Sequence, residues 1–271
     1  MMFKLAQGKY ICNVDADNYI GKGFTKYLLD IFKMHSNCYV VADINREYYD
    51  LRDALGRFCC RKQDFLNLKG YDETFVGYGP EDKDLYNRLE KTGLLPQIIL
   101  NTNFLNAIVH GDDDRVKNEF LNKNLKDFYL AQISPALSIV LMLLKNNRYQ
   151  YFKIQPSKYN NWVPISLVAE SYEEGNWVID KNILILNNNT VEKRLNYISR
   201  LKVFHSEKGI KIIFFKKNNT LFRKKILLDI PLILNQERAE KNNRENRIIV
   251  NKKEFGQGTV YRNFSNEKQY I

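Results

Sequence analysis

Gly77-Tyr78-Gly79-Pro80-Glu81-Asp82-Lys83-Asp84 is the stretch from which the fold is read. Pro80 suits a first helical position, and Glu81, Asp82 and Asp84 oppose the positive end of a helix dipole. Gly93 stands where a C-terminal cap belongs, so the spacing predicts a helix between them. The same residues support two readings. Acidic side chains after a proline can do nothing more than start a helix. Beside a glycine turn and an aromatic ring they can also form a binding or catalytic cluster.

Upstream, Lys9-Tyr10-Ile11-Cys12-Asn13-Val14 reads as a short buried strand that runs into Asp15-Ala16-Asp17-Asn18. Side chains alternate along a strand, which would point Asp15 and Asp17 the same way at its carboxyl end. Open α/β sheets bind ligands at that end. Two carboxylates there suit a hard divalent cation that also grips a diphosphate. Asp and Asn are equally good turn formers. Residues 24–34 have apolar side chains at helical spacing, 39–42 and 58–60 read as strands, and 62–68 as a short helix ended by Gly70. Downstream of the acidic helix, 97–100 and Ala107-Ile108-Val109-His110 read as strands. His110 abuts Asp112, Asp113 and Asp114, which makes it a candidate metal ligand.

These residues, in this order, resemble the catalytic half of a metal-dependent GT-A glycosyltransferase, in particular family 2 enzymes and the C-terminal galactosyltransferase domain. Gly8-Lys9-Tyr10-Ile11 with Asp15-Ala16-Asp17-Asn18, Gly70-Tyr71-Asp72-Glu73-Thr74-Phe75, Gly77 to Asp82 and Ile108-Val109-His110 carry the resemblance, over residues 8–118. It implies that Asp17 and His110 bind Mn²⁺ or Mg²⁺, with Asp15 near the nucleotide ribose and the metal shell. Asp82 would be the general base, Glu81 would hold the acceptor sugar and Tyr78 would stack on it. The Gly79 backbone would approach the donor phosphate. The reaction implied is inverting transfer of a hexose from a nucleotide-sugar, expected to be a UDP-sugar, to a glycan acceptor in surface polysaccharide or glycoconjugate synthesis. The alternative is a non-catalytic glycan- or partner-binding fragment of such an enzyme. Pro80, Lys83 and Ala107 depart from the family pattern. The resembling folds carry a nucleoside-binding portion ahead of the D-x-D, and this chain begins close to it, so a truncated or split product is expected.

Composition frames the remainder. A hydrophobic content of 44% with 13% aromatics indicates a folded chain. Cys59 and Cys60, adjacent in an apolar run, read as buried thiols in a reducing compartment. The expected location is therefore cytoplasmic, at the inner face of the membrane. Residues 1–120 hold 16 Lys/Arg and 18 Asp/Glu, so the net charge of +11 comes from residues 121–271. A basic second part favours an acidic glycan or peripheral association with an anionic membrane. Nucleic acid is not an expected partner, because no reading element accompanies the charge. Residues 121–147 read as apolar helix, and 133–144 as a buried one. Beyond them, 176–180, 183–186, 201–205, 210–215 and 221–228 read as successive strands of a small sheet, sandwich or barrel. Residues 247–250 and 259–261 would add two more, and 236–246 is a charged helix or connection. The expected architecture is α/β: the C-terminal half of a Rossmann-like GT-A domain over 1–120, a helical linker over 121–150 and a smaller β-rich accessory domain over 151–271.

Overall fold

The computed structural model describes residues 2–42, 54, 56–156, 165–168, 171–181, 183–188, 192–199, 202–207, 210–216, 221–252, 255–261 and 268–270. The chain is α/β with several sheets and divides into two compact units. The first is Met1–His110 with Asn235–Ile271, and the second is Gly111–Leu234. The last segment thus belongs with the first unit.

In the first unit, α1 (Met2–Leu5) precedes β1 (Tyr10–Asn13), β2 (Asn18–Tyr19), α2 (Phe24–Met34), β3 (Cys38–Val41) and β4 (Phe58–Arg61). Then come α3 (Lys62–Asn67), α4 (Glu81–Lys91), β5 (Leu95–Ile98) and β6 (Asn106–Ala107). The main sheet has the order β1-β4-β3-β5; β4 is antiparallel to both neighbours, and β3 and β5 are parallel. Strand alternation sorts its side chains between two cores. Tyr39, Val41, Phe58 and Cys60 pack with Phe65, Leu85 and Leu89 from α3 and α4. Cys38, Val40 and Cys59 pack with Phe24, Ile31 and Phe32 from α2. Helices on both faces explain why β3 is buried at every residue. Cys60 is a buried thiol as expected, whereas Cys59 is joined to Cys12, its direct partner across the β1–β4 ladder.

The second unit opens with α5 (Asp112–Asn118) and α6 (Phe120–Asn124). Residues 125–144, expected to be helical, instead form β7 (Leu125–Ser134) and β8 (Leu137–Leu144). β9 (Arg148–Pro156), β10 (Ile165–Leu167), β11 (Glu173–Asp180), β12 (Ile183–Asn187), β13 (Glu192–Ser199), β14 (Lys202–Glu207) and β15 (Ile210–Lys216) come next. Antiparallel pairing runs β7-β8-β9-β11-β12-β13-β14-β15, and β15 returns to β7 through Phe215↔Leu130 and Lys216↔Tyr129. The ring is an eight-stranded up-and-down barrel, closed where β15 meets β7. Lys216 and Asp127 form an ion pair at the closing seam. Inside are Tyr129, Leu141, Leu143, Tyr149, Trp177, Leu184, Leu195 and Phe214. The Trp177 indole donates to the Leu144 carbonyl at 3.1 Å.

Residues 221–228, expected as a strand, begin α7 (Leu221–Arg244). Ile226, Leu227, Ile230 and Ile233 recur at helical spacing and cover the outer face of the barrel, against Phe128, Val140, Met142, Phe152 and Ile154. β8 is therefore buried on both sides, which gives it an unbroken apolar run with no alternation. Such a run does not distinguish a strand from a buried helix. From Asn235 onward α7 is counted in the first unit. β16 (Thr259–Tyr261) forms as expected and pairs with β17 (Lys268–Tyr270), but 247–250 is irregular rather than a strand. Among the described residues no helix is long and apolar enough to cross a membrane.

Within β11, a Cβ at Gly175 would overlap the main-chain carbonyl of Asn187. Backbone cannot swing aside as a side chain can, so Gly175→Ala is expected to destabilise the barrel by at least about 2 kcal/mol, read as a lower denaturant midpoint.

Candidate functional site

Asp15 to Asn18 form a turn, closed by the Asn18 N–H donating to the Asp15 carbonyl at 3.0 Å. β1 ends at Asn13, before both aspartates, so strand alternation does not govern them and they face different partners. Asp17 is placed by a short ladder. β2 pairs with β6, and the Ile108 N–H donates to the Asp17 carbonyl at 2.9 Å. That pairing brings His110 back, with Nε2 2.9 Å from Asp17 Oδ2. Beyond β6 the backbone is irregular rather than the strand expected through His110, and Ile108 and Val109 are exposed. The Asn18 side-chain amide donates to Asp17 Oδ1 at 2.8 Å. This hydrogen bond is the main cause holding the Asp17 carboxyl below its ordinary range, with His110 adding to it.

A nitrogen and an oxygen that share a cation at about 2.1 Å in adjacent positions sit about 3 Å apart. The Asp17–His110 separation fits that requirement, and the two side chains are 34% and 40% exposed. Among the described residues no group of three His, Cys, Asp or Glu side chains is placed to hold a metal ion. Two protein donors are therefore what the described residues offer there.

Asp15 turns to the other side. A Cβ built on Gly56 would lie 2.8 Å from Asp15 Oδ2 and 3.3 Å from Asp82 Oδ2, which puts these two oxygens within about 6 Å of each other. Burial, then the charge of Asp17, raises the Asp15 carboxyl, and Arg57 partly offsets this. Arg57 is fully buried. Its Nη2 donates to Asn18 Oδ1 at 2.8 Å and to the Asn106 carbonyl at 3.4 Å, while Nε and Nη1 have no hydrogen-bond partner among the described residues. The guanidinium also stands 5.9 Å from the Phe24 ring centre.

Glu81 and Asp82 open α4, in the first turn where the helix dipole favours anions. The Tyr71 hydroxyl donates to Asp82 Oδ1 at 2.9 Å. Burial pushes Asp82 up to about 7, with the charges of Glu81 and Asp15 adding to the rise and the Tyr71 hydrogen bond opposing it. Glu81 is also raised, first by burial and then by Asp15, and its buried Oε2 has no hydrogen-bond partner among the described residues. Tyr78 is 54% exposed. Gly79 does not face open space: a Cβ there would lie 2.6 Å from Asn235 Cβ and 2.9 Å from its Cγ. Asp112, Asp113 and Asp114 form the start of α5 in the second unit, where Asp113 accepts from Lys224 at 2.7 Å.

Three asparagines far along the chain hold this region together and escaped the sequence reading. Asn235 bonds the backbone of Val76 and Tyr78. Asn242, buried, donates to Asp72 Oδ2 at 2.8 Å and to Asp84 Oδ1 at 3.0 Å, while Asp84 Oδ2 accepts from Arg88 at 2.8 Å. Asn251 donates to the Lys69 and Tyr71 carbonyls and accepts from the Glu73 N–H. The Gly256 N–H donates to Glu73 Oε1 at 2.7 Å. The one available signal was the spacing of seven between Asn235 and Asn242, which places both on one helix face.

Asp82 carries a pH signature. Its folded-state value of about 7 lies above the ordinary 3.8, so its ionisation opposes folding. The penalty is absent below about pH 4, grows as pH rises through the window, and is complete above about pH 7. Asp82→Asn is therefore expected to raise stability by on the order of 2–4 kcal/mol at pH 8 and by almost nothing at pH 4, measured by denaturant unfolding at both values.

Residues 40–110 match the family model described as the N-terminal domain of galactosyltransferase, about a quarter of the chain. No curated protein and no solved structure matches the chain. The match takes in β3, β4, α3, α4, β5, β6 and His110, and so Glu81 and Asp82, but neither Asp15 nor Asp17. Over those residues the chain is galactosyltransferase-like, which supports glycosyltransferase activity in broad terms.

Proposed function

We propose that the first unit is the catalytic part of a metal-dependent glycosyltransferase that moves a hexose from a nucleotide-sugar, a UDP-sugar, to a hydroxyl of a glycan acceptor with inversion. The observation that carries this reading is the meeting of Asp15 and Asp82 beside Gly56, with Glu81 next to Asp82 at the start of α4, largely inside the galactosyltransferase-like portion. Asp17 and His110 would hold Mn²⁺ or Mg²⁺ together with the donor diphosphate. Bound there, the cation would supply Lewis-acid neutralisation of the departing nucleoside diphosphate.

The protein's own residues account for the proton. A carboxyl near neutrality matches the task of a general base, since it is ionised at working pH yet basic enough to accept a proton. Asp82 has that value, and Tyr71 orients it by donating to one oxygen. The acceptor hydroxyl attacks the anomeric carbon on the face opposite the diphosphate. The new C–O bond forms as the bond to the phosphate oxygen breaks, and the hydroxyl proton passes to Asp82. Glu81, next to Asp82 in the first turn of α4, would hold the acceptor sugar by hydrogen bonds. The exposed Tyr78 ring offers it an apolar face.

With UDP-hexose, Mn²⁺ and an oligosaccharide acceptor, Asp82→Asn is expected to lower kcat by about 10²-fold or more while calorimetric UDP binding stays the same. Asp17→Ala is expected to weaken Mn²⁺-dependent UDP binding by about tenfold or more. Absence of any UDP binding by the wild-type chain would overturn the reading and support a non-catalytic glycan- or partner-binding fragment instead.

A further inference from the structure

We propose that Asn235 is a positioning residue for the loop that leads into Glu81 and Asp82. This rests on the function proposed above for those two carboxylates.

Asn235 lies on α7 and is fully buried. Its Oδ1 accepts from the Val76 N–H at 3.3 Å and from Arg238 Nη1 at 2.8 Å. Its Nδ2 donates to the Val76 carbonyl at 3.1 Å and to the Tyr78 carbonyl at 3.4 Å. The side-chain amide thus reads Val76 as a second peptide group would, donor to acceptor and acceptor to donor, and all four of its hydrogen-bonding positions are used. The carboxamide also fills the space where a side chain at residue 79 would begin, which makes glycine obligatory there through close approach.

The loop needs such a clamp. Val76 and Tyr78 are both 54% exposed, so burial does little to hold them. Gly77 sits at φ 72, and with Gly79 it gives the segment little conformational preference of its own. Regular backbone hydrogen bonding flanks the loop, at Phe75 N–H to the Asp72 carbonyl and Asp84 N–H to the Pro80 carbonyl. Between these anchors, Asn235 fixes where α4 starts and thus where the Glu81 and Asp82 carboxylates are aimed. Small misplacements of a reacting group cost large factors in rate, so the clamp's effect belongs in turnover.

Three full-length variants test this. Asn235→Leu keeps the size and removes every polar contact. Asn235→Asp keeps the acceptor for the Val76 N–H but sets a carboxylate against two carbonyls. Asn235→Gly empties the space beside Gly79. Amide hydrogen exchange is expected to rise about tenfold or more over residues 76–82 in the Leu and Asp variants and to stay unchanged in β3 and β4. Their kcat is expected to fall about tenfold or more and their acceptor KM to rise, with UDP affinity nearly unchanged. Gly79→Ala is expected to impair the wild-type background and to add nothing to Asn235→Gly, the non-additivity of a direct contact.

Unchanged exchange over 76–82 in Asn235→Leu would overturn the proposal. So would an unchanged kcat despite a loosened loop, or exchange that rises uniformly through the first unit as a merely structural role requires. A wild-type chain that transfers no sugar counts against the proposed function alone, and the exchange comparison then decides the clamp by itself.

Discussion

Carboxylates resist being brought together, and the first unit is built around that resistance. Asp15, Glu81 and Asp82 share a partly buried space, with the enclosed Arg57 guanidinium on the aspartate side. Burial and like charge both oppose ionisation there, as the raised values of all three show. Nothing within the cluster would hold it assembled, so its frame must. The β2–β6 pairing fixes Asp17, the sheet and α3 carry Gly56 and Tyr71, and the asparagines from 235 to 251 secure the loop ahead of α4. Such a site trades stability for a group that titrates near neutrality.

The second unit solves a different problem. A meander of short strands exposes edges unless it closes on itself, and the contact of β15 with β7 provides the closure. Described residues of β7, β8, β9, β11, β12, β13 and β15 then face an aromatic and aliphatic interior. The outer face of β7, β8 and β9 is buried as well, because the first part of α7 lies on it. The described part of the barrel presents no chemistry of its own, and its interior is filled by side chains.

How much of the structure is legible in the sequence depends on the range over which each signal acts. The acidic helix, the D-x-D turn and the short strands of the sheet depend on neighbours a few residues away, and those patterns were legible. Residues 137–144 misled because burial on both faces erased the alternation that marks a strand. The start of α7 misled because its period becomes visible only across Pro231, a residue that normally breaks a helix. Gly56 and Arg57 gave no signal, since their importance lies in which carboxylates arrive beside them. Asn235 and Asn251 act on backbone, and Asn242 on two carboxylates, more than 150 residues away, and polar side chains in a charged segment look the same whether solvated or buried. The Cys12–Cys59 bond was hidden for the same reason, because a cross-strand neighbour depends on register.

The attachment of Asn235–Ile271 to the first unit also sets an order for biosynthesis. A nascent chain leaving the ribosome exposes α4 and its acidic turn early, yet the side chains that fix them arrive only after the whole barrel has been made. The barrel is contiguous and closes through neighbouring strands, so it can complete while the first unit waits. Until Asn251 and Gly256 emerge, the acidic loop lacks its restraints. The loop is thereby left without these contacts until residues 235–256 are translated, and a ribosome that stalls before them releases a product whose strands are sound but whose acidic loop is unsecured.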